Sequence, residues 1–149
     1  MAMTRSTVIG IGNWNVDVTK EYSALMDGHE LGKRVQDAGG GEYQLMKAGA
    51  AIGAGEAIYF ATTDKGYEDV RKTAGATDVC IGIAHTAVTS AYFFWARVRG
   101  FLAAVKLDTG VVVGDSLQPG ATAGRFKPVA ATDIELGLSV VCVKTEATN

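Results

Sequence analysis

Several stretches carry residue types that could do chemistry. Gly10-Ile11-Gly12 opens like a dinucleotide-binding turn, but the third glycine position holds Asn15 or Val16. Without that glycine the backbone cannot approach a pyrophosphate closely at a helix N-terminus. Gly28-His29-Glu30-Leu31-Gly32-Lys33-Arg34 has the glycine and lysine of a phosphate-binding loop. It is one residue short, and Arg34 stands where a Ser or Thr hydroxyl must reach magnesium. Gly114-Asp115-Ser116-Leu117-Gln118 begins like a nucleophile elbow and lacks the second glycine. His29 and His85 are the only histidines, and Cys80 and Cys142 the only cysteines. Each cysteine sits in an apolar run, with neither a CxxC nor a Cys/His cluster to hold zinc. Asp37, Asp108 and Asp115 stand singly at turns, where aspartate bonds its own backbone. The expectation is a chain that is not an enzyme and takes no cofactor or metal.

A different chemistry, that of contact, is concentrated in Tyr92-Phe93-Phe94-Trp95-Ala96-Arg97-Val98-Arg99-Gly100-Phe101. In a strand, alternate side chains point to opposite faces. Phe94, Ala96 and Val98 then form an apolar face suited to a core. Phe93, Trp95, Arg97 and Arg99 form a mixed face of the composition enriched in protein–protein interfaces. Arg97 stacked on Trp95 or Phe93 is worth about 0.5–2 kcal/mol. The competing reading is a core strand with exposed arginines at one end. Trp14, among polar neighbours, joins this set as the anchor of an N-terminal arm, or else folds back with its segment onto the chain's own core. Tyr22 shares a weak helical face with Leu25 and Met26, with Thr19 as cap and Gly28 as stop. The candidate interface residues are Trp14, Tyr22, Phe93, Trp95, Arg97 and Arg99.

The elements that must position these residues read as short strands. Glu42 to Lys47 alternates polar and apolar after the turn-forming Asp37-Ala38-Gly39-Gly40-Gly41. Ala57 to Ala61, Val79 to Ala84, Tyr92 to Val105 (one long strand or two joined at Gly100), Val111 to Val113, Gly124 to Val129 and Leu136 to Lys144 follow. Asp64 to Thr73 carries helix start and stop signals, or is a polar loop. An echo runs through the chain. Ile52-Gly53-Ala54-Gly55-Glu56-Ala57-Ile58 matches Val111-Val112-Val113-Gly114-Asp115-Ser116-Leu117, and Ile81-Gly82-Ile83-Ala84 matches Leu136-Gly137-Leu138-Ser139. This reads as two similar lobes closing one small barrel, or as coincidence in a Gly/Ala/Val-rich chain. The fold expected is all-β: a small β-barrel or β-tulip-like domain over residues 29–149, an N-terminal arm over 1–28, and at most one or two short helices.

Composition bounds the rest. The chain has 149 residues, 48% of them hydrophobic, with 19 Gly, 2 Pro and a net charge of −2. That hydrophobic fraction excludes a largely disordered chain. Residues 1–75 hold 8 basic and 10 acidic side chains and residues 76–149 hold 6 of each, so no basic stripe favours a nucleic-acid partner. No apolar run reaches the roughly 18 residues of a membrane helix. Val8 to Gly12 is too short for the apolar region of a secretory signal, which leads us to expect a cytoplasmic site of synthesis.

The ordered series of turns and strands resembles the head decoration (capsid cement) proteins of tailed bacteriophages. The series runs from Gly32 through Asp37-Ala38-Gly39-Gly40-Gly41-Glu42-Tyr43 and Met46-Lys47-Ala48-Gly49-Ala50-Ala51-Ile52-Gly53-Ala54-Gly55-Glu56-Ala57. It continues through Ile81-Gly82-Ile83-Ala84, Trp95-Ala96-Arg97-Val98-Arg99-Gly100, Val113-Gly114-Asp115-Ser116-Leu117, Thr122-Ala123-Gly124 and Leu136-Gly137-Leu138. Each motif alone is a generic β-turn signature; their order over residues 30–143 carries the resemblance. Phe93-Phe94 departs from it, since relatives tend to carry a small residue before the Trp, and residues 1–28 lie outside it. The resemblance implies a β-barrel or β-tulip domain, often a homotrimer, on the outer capsid surface of the virion after assembly in the host cytoplasm. Its partners would be the major capsid protein and its own copies, with no nucleic acid and no membrane. Other readings are a tail or fibre-base component of the virion and, from another class, a β-sandwich carbohydrate-binding module.

Overall fold

A computed structural model describes residues 17–25, 28–62, 64–102, 104–130 and 140–142. Trp14 and the Leu136-Gly137-Leu138 echo lie outside them. Among the described residues ten strands follow in order: β1 (Glu21–Tyr22), β2 (Arg34–Gln36), β3 (Glu42–Lys47), β4 (Ala57–Phe60), β5 (Val70–Lys72), β6 (Gly82–Ala84), β7 (Phe93–Arg99), β8 (Ser116–Pro119), β9 (Phe126–Pro128) and β10 (Val140–Val141). The larger sheet has the order β2-β3-β7-β6-β4-β5, with β1 also on β7; the smaller has the order β10-β8-β9. All strand pairs are antiparallel. The fold is all-β, as expected.

The central pair, β3 and β7, is buried on both faces. Met46, Phe94, Ala96 and Val98 enter one core with Ile58, Val70 and Ala84. Leu45, Tyr43 and Trp95 enter a second core on the opposite face, roofed by Val18, Tyr22 and Leu31. Fully burying Phe94 or Trp95, each with no exposed surface, contributes on the order of 2–3 kcal/mol. Within the N-terminal segment, residues 17–25 are tied to this core. β1 pairs with Phe93 and Phe94, and the Glu21 carboxylate accepts the Thr89 N–H and, at 2.9 Å, its hydroxyl. Of the expected arm, residues 17–25 are described, and Glu21–Tyr22 among them pairs with the main sheet. No helix forms around Tyr22; its hydroxyl donates to the Asp17 carbonyl at 2.8 Å.

The first half of the echo is also an echo in hydrogen bonds; its second half falls elsewhere, since Ala84 answers to Cys142 and not to Ser139, and residues 136–139 lie outside the described residues. Gly55 N–H donates to the Ala84 carbonyl (2.8 Å) as Gly114 N–H does to Cys142 (2.7 Å). Ala84 N–H returns to Glu56 (3.0 Å) as Cys142 N–H does to Asp115 (2.9 Å). The acid after each glycine accepts a backbone N–H three residues upstream: Gly53 to Glu56 Oε2 at 2.6 Å, Val112 to Asp115 Oδ2 at 2.8 Å. Both glycines have positive φ, +77° and +97°, where an L side chain is strained. Parallel bridges Ala48–Val70 and Leu107–Phe126 sit at matching places. Two units result, residues 48–84 and 107–142, each with a middle strand (β4, β8) between two partners.

No strand pairing among the described residues closes the two units into one barrel. They lie in different sheets and stack in series. Leu117, Phe126 and Cys142 correspond to Ile58, Val70 and Ala84 of the first unit's core. They pack onto Ala57 and Ile83, the outer face of that first unit, in a third core. Glu56, 5% exposed, ties the two, its carboxylate meeting Lys106 Nζ at 2.8 Å. Two other expectations are corrected. Val111–Val113 is no strand, because the Asp115 carboxylate captures the Val112 N–H and folds the backbone. Asp64–Thr73 holds only a 3-10 turn at Gly66–Glu68, after which Val70–Lys72 pairs with β4.

Candidate functional site

The β2–β3 turn and the end of β7 meet in a polar node. Asp37 shapes the turn: its Oδ1 accepts the N–H of Gly39 at 3.0 Å and of Gly41 at 2.7 Å. Its Oδ2 accepts the Tyr43 hydroxyl at 3.2 Å and Arg97 Nη1 at 3.3 Å. Tyr43 and Arg97 are opposed in register, so the guanidinium stacks 4.7 Å from the ring centroid and also bonds the phenol oxygen. Arg97 Nη2 donates to the Phe101 carbonyl at 2.7 Å. Gly100 makes that return possible. Its φ is +98°, and a Cβ there would stand 2.9 Å from the Gly41 Cα. The His85 ring lies edge-on to Tyr43 at 6.1 Å, with Nδ1 buried and without a hydrogen-bond partner.

These contacts set the charges. Burial works to raise the Asp37 carboxyl, but the Gly41 N–H, the Arg97 charge, the Tyr43 hydroxyl and the Gly39 N–H together hold it below its ordinary value. Burial pushes the Tyr43 phenol up. Burial, then the Arg97 charge, pushes the His85 imidazole down, with Asp37 opposing. The node thus couples an ionised carboxylate, a guanidinium, a neutral phenol and a neutral imidazole. Its hydrogen bonds are spent on holding the turn against β7. What it presents outward is Phe101, 64% exposed on a clamped backbone, and the exposed Arg99. Arg99 and the exposed Arg34 share one carboxylate, Glu42, at 3.2 and 3.6 Å.

The expected contact face is therefore divided. Trp95 is fully buried against Leu45 and Val35, with His29 edge-on at 5.7 Å, and belongs to the core. Phe93 is half-buried beneath β1, with Lys47 Nζ 5.5 Å from its centroid. Arg97 stacks on Tyr43 instead of Trp95 or Phe93, and its side chain is only 11% exposed. Tyr22 is half-buried in β1. Arg99 alone of the described candidates is well exposed. Phe101 was in the same sequence run, but strand alternation stops at Gly100 and gave no sign of its exposure. Asp37, Tyr43 and His85 come together only through the pairing of distant strands.

The catalytic look-alikes are also placed. Gly28, Glu30, Leu31, Gly32 and Lys33 line an open depression, and the segment leads into strand β2 instead of a helix. Among the described residues no helix N-terminus faces it to cradle phosphate. Ser116 starts β8 opposite Val141, not at a strand-to-helix elbow. Cys80 is buried, its thiol pushed up to about 11 by that burial, and donates to the Gly82 carbonyl at 3.3 Å. Among the described residues no three His, Cys, Asp or Glu side chains gather as a metal site, and no helix is long and apolar enough to cross a membrane. No family model, no curated protein and no solved structure significantly matches the chain.

Proposed function

We propose that this chain is a decoration (cement) protein of a tailed-bacteriophage head. It binds the outer surface of the mature shell, bridges neighbouring major capsid subunits and stabilises the particle. The observation that carries the reading is the ordered series of glycine turns and strands. Its first half contains the Asp37–Gly41 turn and the Gly55-Glu56 turn, and its second repeats the latter as Gly114-Asp115 with the same hydrogen bonds. A rigid two-sheet body with an exposed Phe101 beside Arg99 suits a docking role, since aromatics and arginines dominate binding energy at protein interfaces.

Such a protein acts by mass action. It binds the assembled shell and not its dissociated subunits, so the shell gains stability by the binding free energy. Repetition by symmetry turns modest contacts into large avidity. In this reading the chain is a structural protein with neither catalytic residues nor cofactor. The test is co-sedimentation with purified mature heads, together with the temperature at which heads release DNA with and without the chain. Saturable binding and a higher release temperature support the reading. Fractionation with tails only, or no binding to heads, overturns it.

A further inference from the structure

One member of the polar node, His85, adds no hydrogen bond to it. The residue follows the last position of β6, and its ring lies edge-on to Tyr43, 6.1 Å away. Its Nδ1 is buried without a hydrogen-bond partner, and so is Nε of Arg97. Among the described residues the titratable and charged groups that face it are Tyr43 of β3, Arg97 of β7 and Asp37 of the β2–β3 turn. A neutral imidazole fits these surroundings with one nitrogen left unmet. A protonated imidazole carries an N–H on both nitrogens and a charge. The anion it would meet is Asp37, and a carboxylate has about four lone-pair sites. These are already taken: Oδ1 by the N–H of Gly39 and of Gly41, Oδ2 by the Tyr43 hydroxyl and Arg97 Nη1. A second cation in the node has no acceptor of its own there, and it stands beside the first.

We propose that His85 is an acid-operated release for this node: a proton on its imidazole drives the Arg97 guanidinium off Asp37 and the Tyr43 ring and frees the backbone of Phe101. The guanidinium is the part that yields. Its Nε is unmet and its bond to Asp37 is 3.3 Å long, whereas Asp37 holds the Gly39 and Gly41 N–H groups at 3.0 and 2.7 Å. Arg97 Nη2 also holds the Phe101 carbonyl, at 2.7 Å, so the exposed aromatic loses its tether with it. Burial, then the Arg97 charge, pushes the His85 imidazole down while Asp37 opposes, so the closed node binds the proton less well than an open one. By linkage the closed form is favoured above the ordinary value of 6.5 and gives way as pH falls below it. Phe101 is then held rigid at neutral pH and let go in acid. The inference goes beyond the decoration reading and does not depend on it.

The test is NMR of the full-length chain between pH 8 and 5. The Arg97 side chain lies over the Tyr43 ring, 4.7 Å from its centroid, so ring current moves its protons upfield while the node is closed. The His85 imidazole carbons report its own proton. The expected result is a His85 midpoint below 6.5, with the Arg97 ring-current shift falling by about half or more across that same midpoint. Amides of β3 and β7 should stay protected throughout. His85→Gln keeps a neutral polar side chain and should leave the Arg97 shift flat over the whole range. Arg97→Met removes the charge beside the imidazole and should raise the His85 midpoint; this reading stands if H85Q fails to fold. An Arg97 shift that holds while His85 titrates overturns the proposal. So does a shift that still falls in H85Q, or a His85 midpoint unchanged in R97M. Loss of the β3 and β7 amides together with the Arg97 shift would mean that acid unfolds the whole protein and not the node, and overturns it as well.

Discussion

The node that holds Phe101 outward stands or falls on Arg97. Replacing Arg97 with Met keeps the stem over the Tyr43 ring and removes the guanidinium, with its bonds to Asp37, Tyr43 and the Phe101 carbonyl. The two charged side chains are 11% and 21% exposed, so the pair lies nearer the buried than the surface class. Truncating one partner of a buried pair costs about 3–5 kcal/mol, whereas exposed pairs are worth about 0–1. Asp37 keeps its two backbone N–H partners when Arg97 is gone, which lowers the cost to about 3 kcal/mol. Asp37→Asn removes the same charge pairing from the other side. A double-mutant cycle of R97M and D37N, measured by urea unfolding at constant m-value, should give a coupling of about 1–2 kcal/mol. A coupling below about 0.5 kcal/mol would mean that the two side chains are neighbours without being partners, and would refute the clamp.

Trp95→Ala should cost about 3–5 kcal/mol by leaving a cavity between Leu45 and Val35, and leave the molar mass in solution unchanged; a change of mass would return Trp95 to an interface. His85 is held neutral by burial and by Arg97, so its folded pKa lies below its ordinary 6.5. The unfolded chain therefore takes up the proton first. This contribution to stability is complete above about pH 6.5 and is lost as pH falls below it. His29 acts in the same sense, through burial and Lys33. Melting temperatures between pH 7.5 and 5 should fall, and His85→Gln should flatten that slope in part. The Cys80 thiol, pushed up to about 11 and buried, should stay unreactive to a thiol reagent at pH 8 until urea unfolds the protein. Removing residues 1–16 leaves every described contact in place, whereas removal through residue 28 deletes β1 and Val18 from the roof over Trp95. Only the longer deletion should therefore expose Trp95 and lower the urea midpoint.

The strands that alternate cleanly were legible. Glu42 to Lys47 forms β3 over the whole predicted span, and the apolar face of Phe94, Ala96 and Val98 enters a core as read. The Gly-acid half of the repeat was legible because that pair before a strand is a local device, its carboxylate accepting an N–H three residues upstream; the strand that closes each unit, Ala84 in one and Cys142 in the other, is distant in sequence. The second face of β7 is divided for a non-local reason. Alternation tells which residues share a face, not what covers it, and Trp95 is covered by Val18, Val35 and Leu31 from sequence-distant segments. β1 and β2 are two and three residues long, too short for any period to register. Val111–Val113 shows the opposite error. Its β-branched residues favour a strand, but one captured N–H outweighs that preference. The polar node was half legible: Asp37 reads as a turn former, but its tie to Arg97 depends on the pairing of β3 with β7.

The pairing of Glu21 with Phe94 also sets an order of assembly. Contacts between residues far apart in the chain are costly to close and form slowly. During synthesis β1 emerges first and has no partner until β7 follows, long after it. The bonds of the first unit between Gly55-Glu56 and Ala84 can form in the meantime. The pocket of Trp95 is sealed only when the oldest part of the chain returns to a strand made later, while the second unit still lacks its closing strand. The roof over Trp95 is thus completed only when β1 returns to β7.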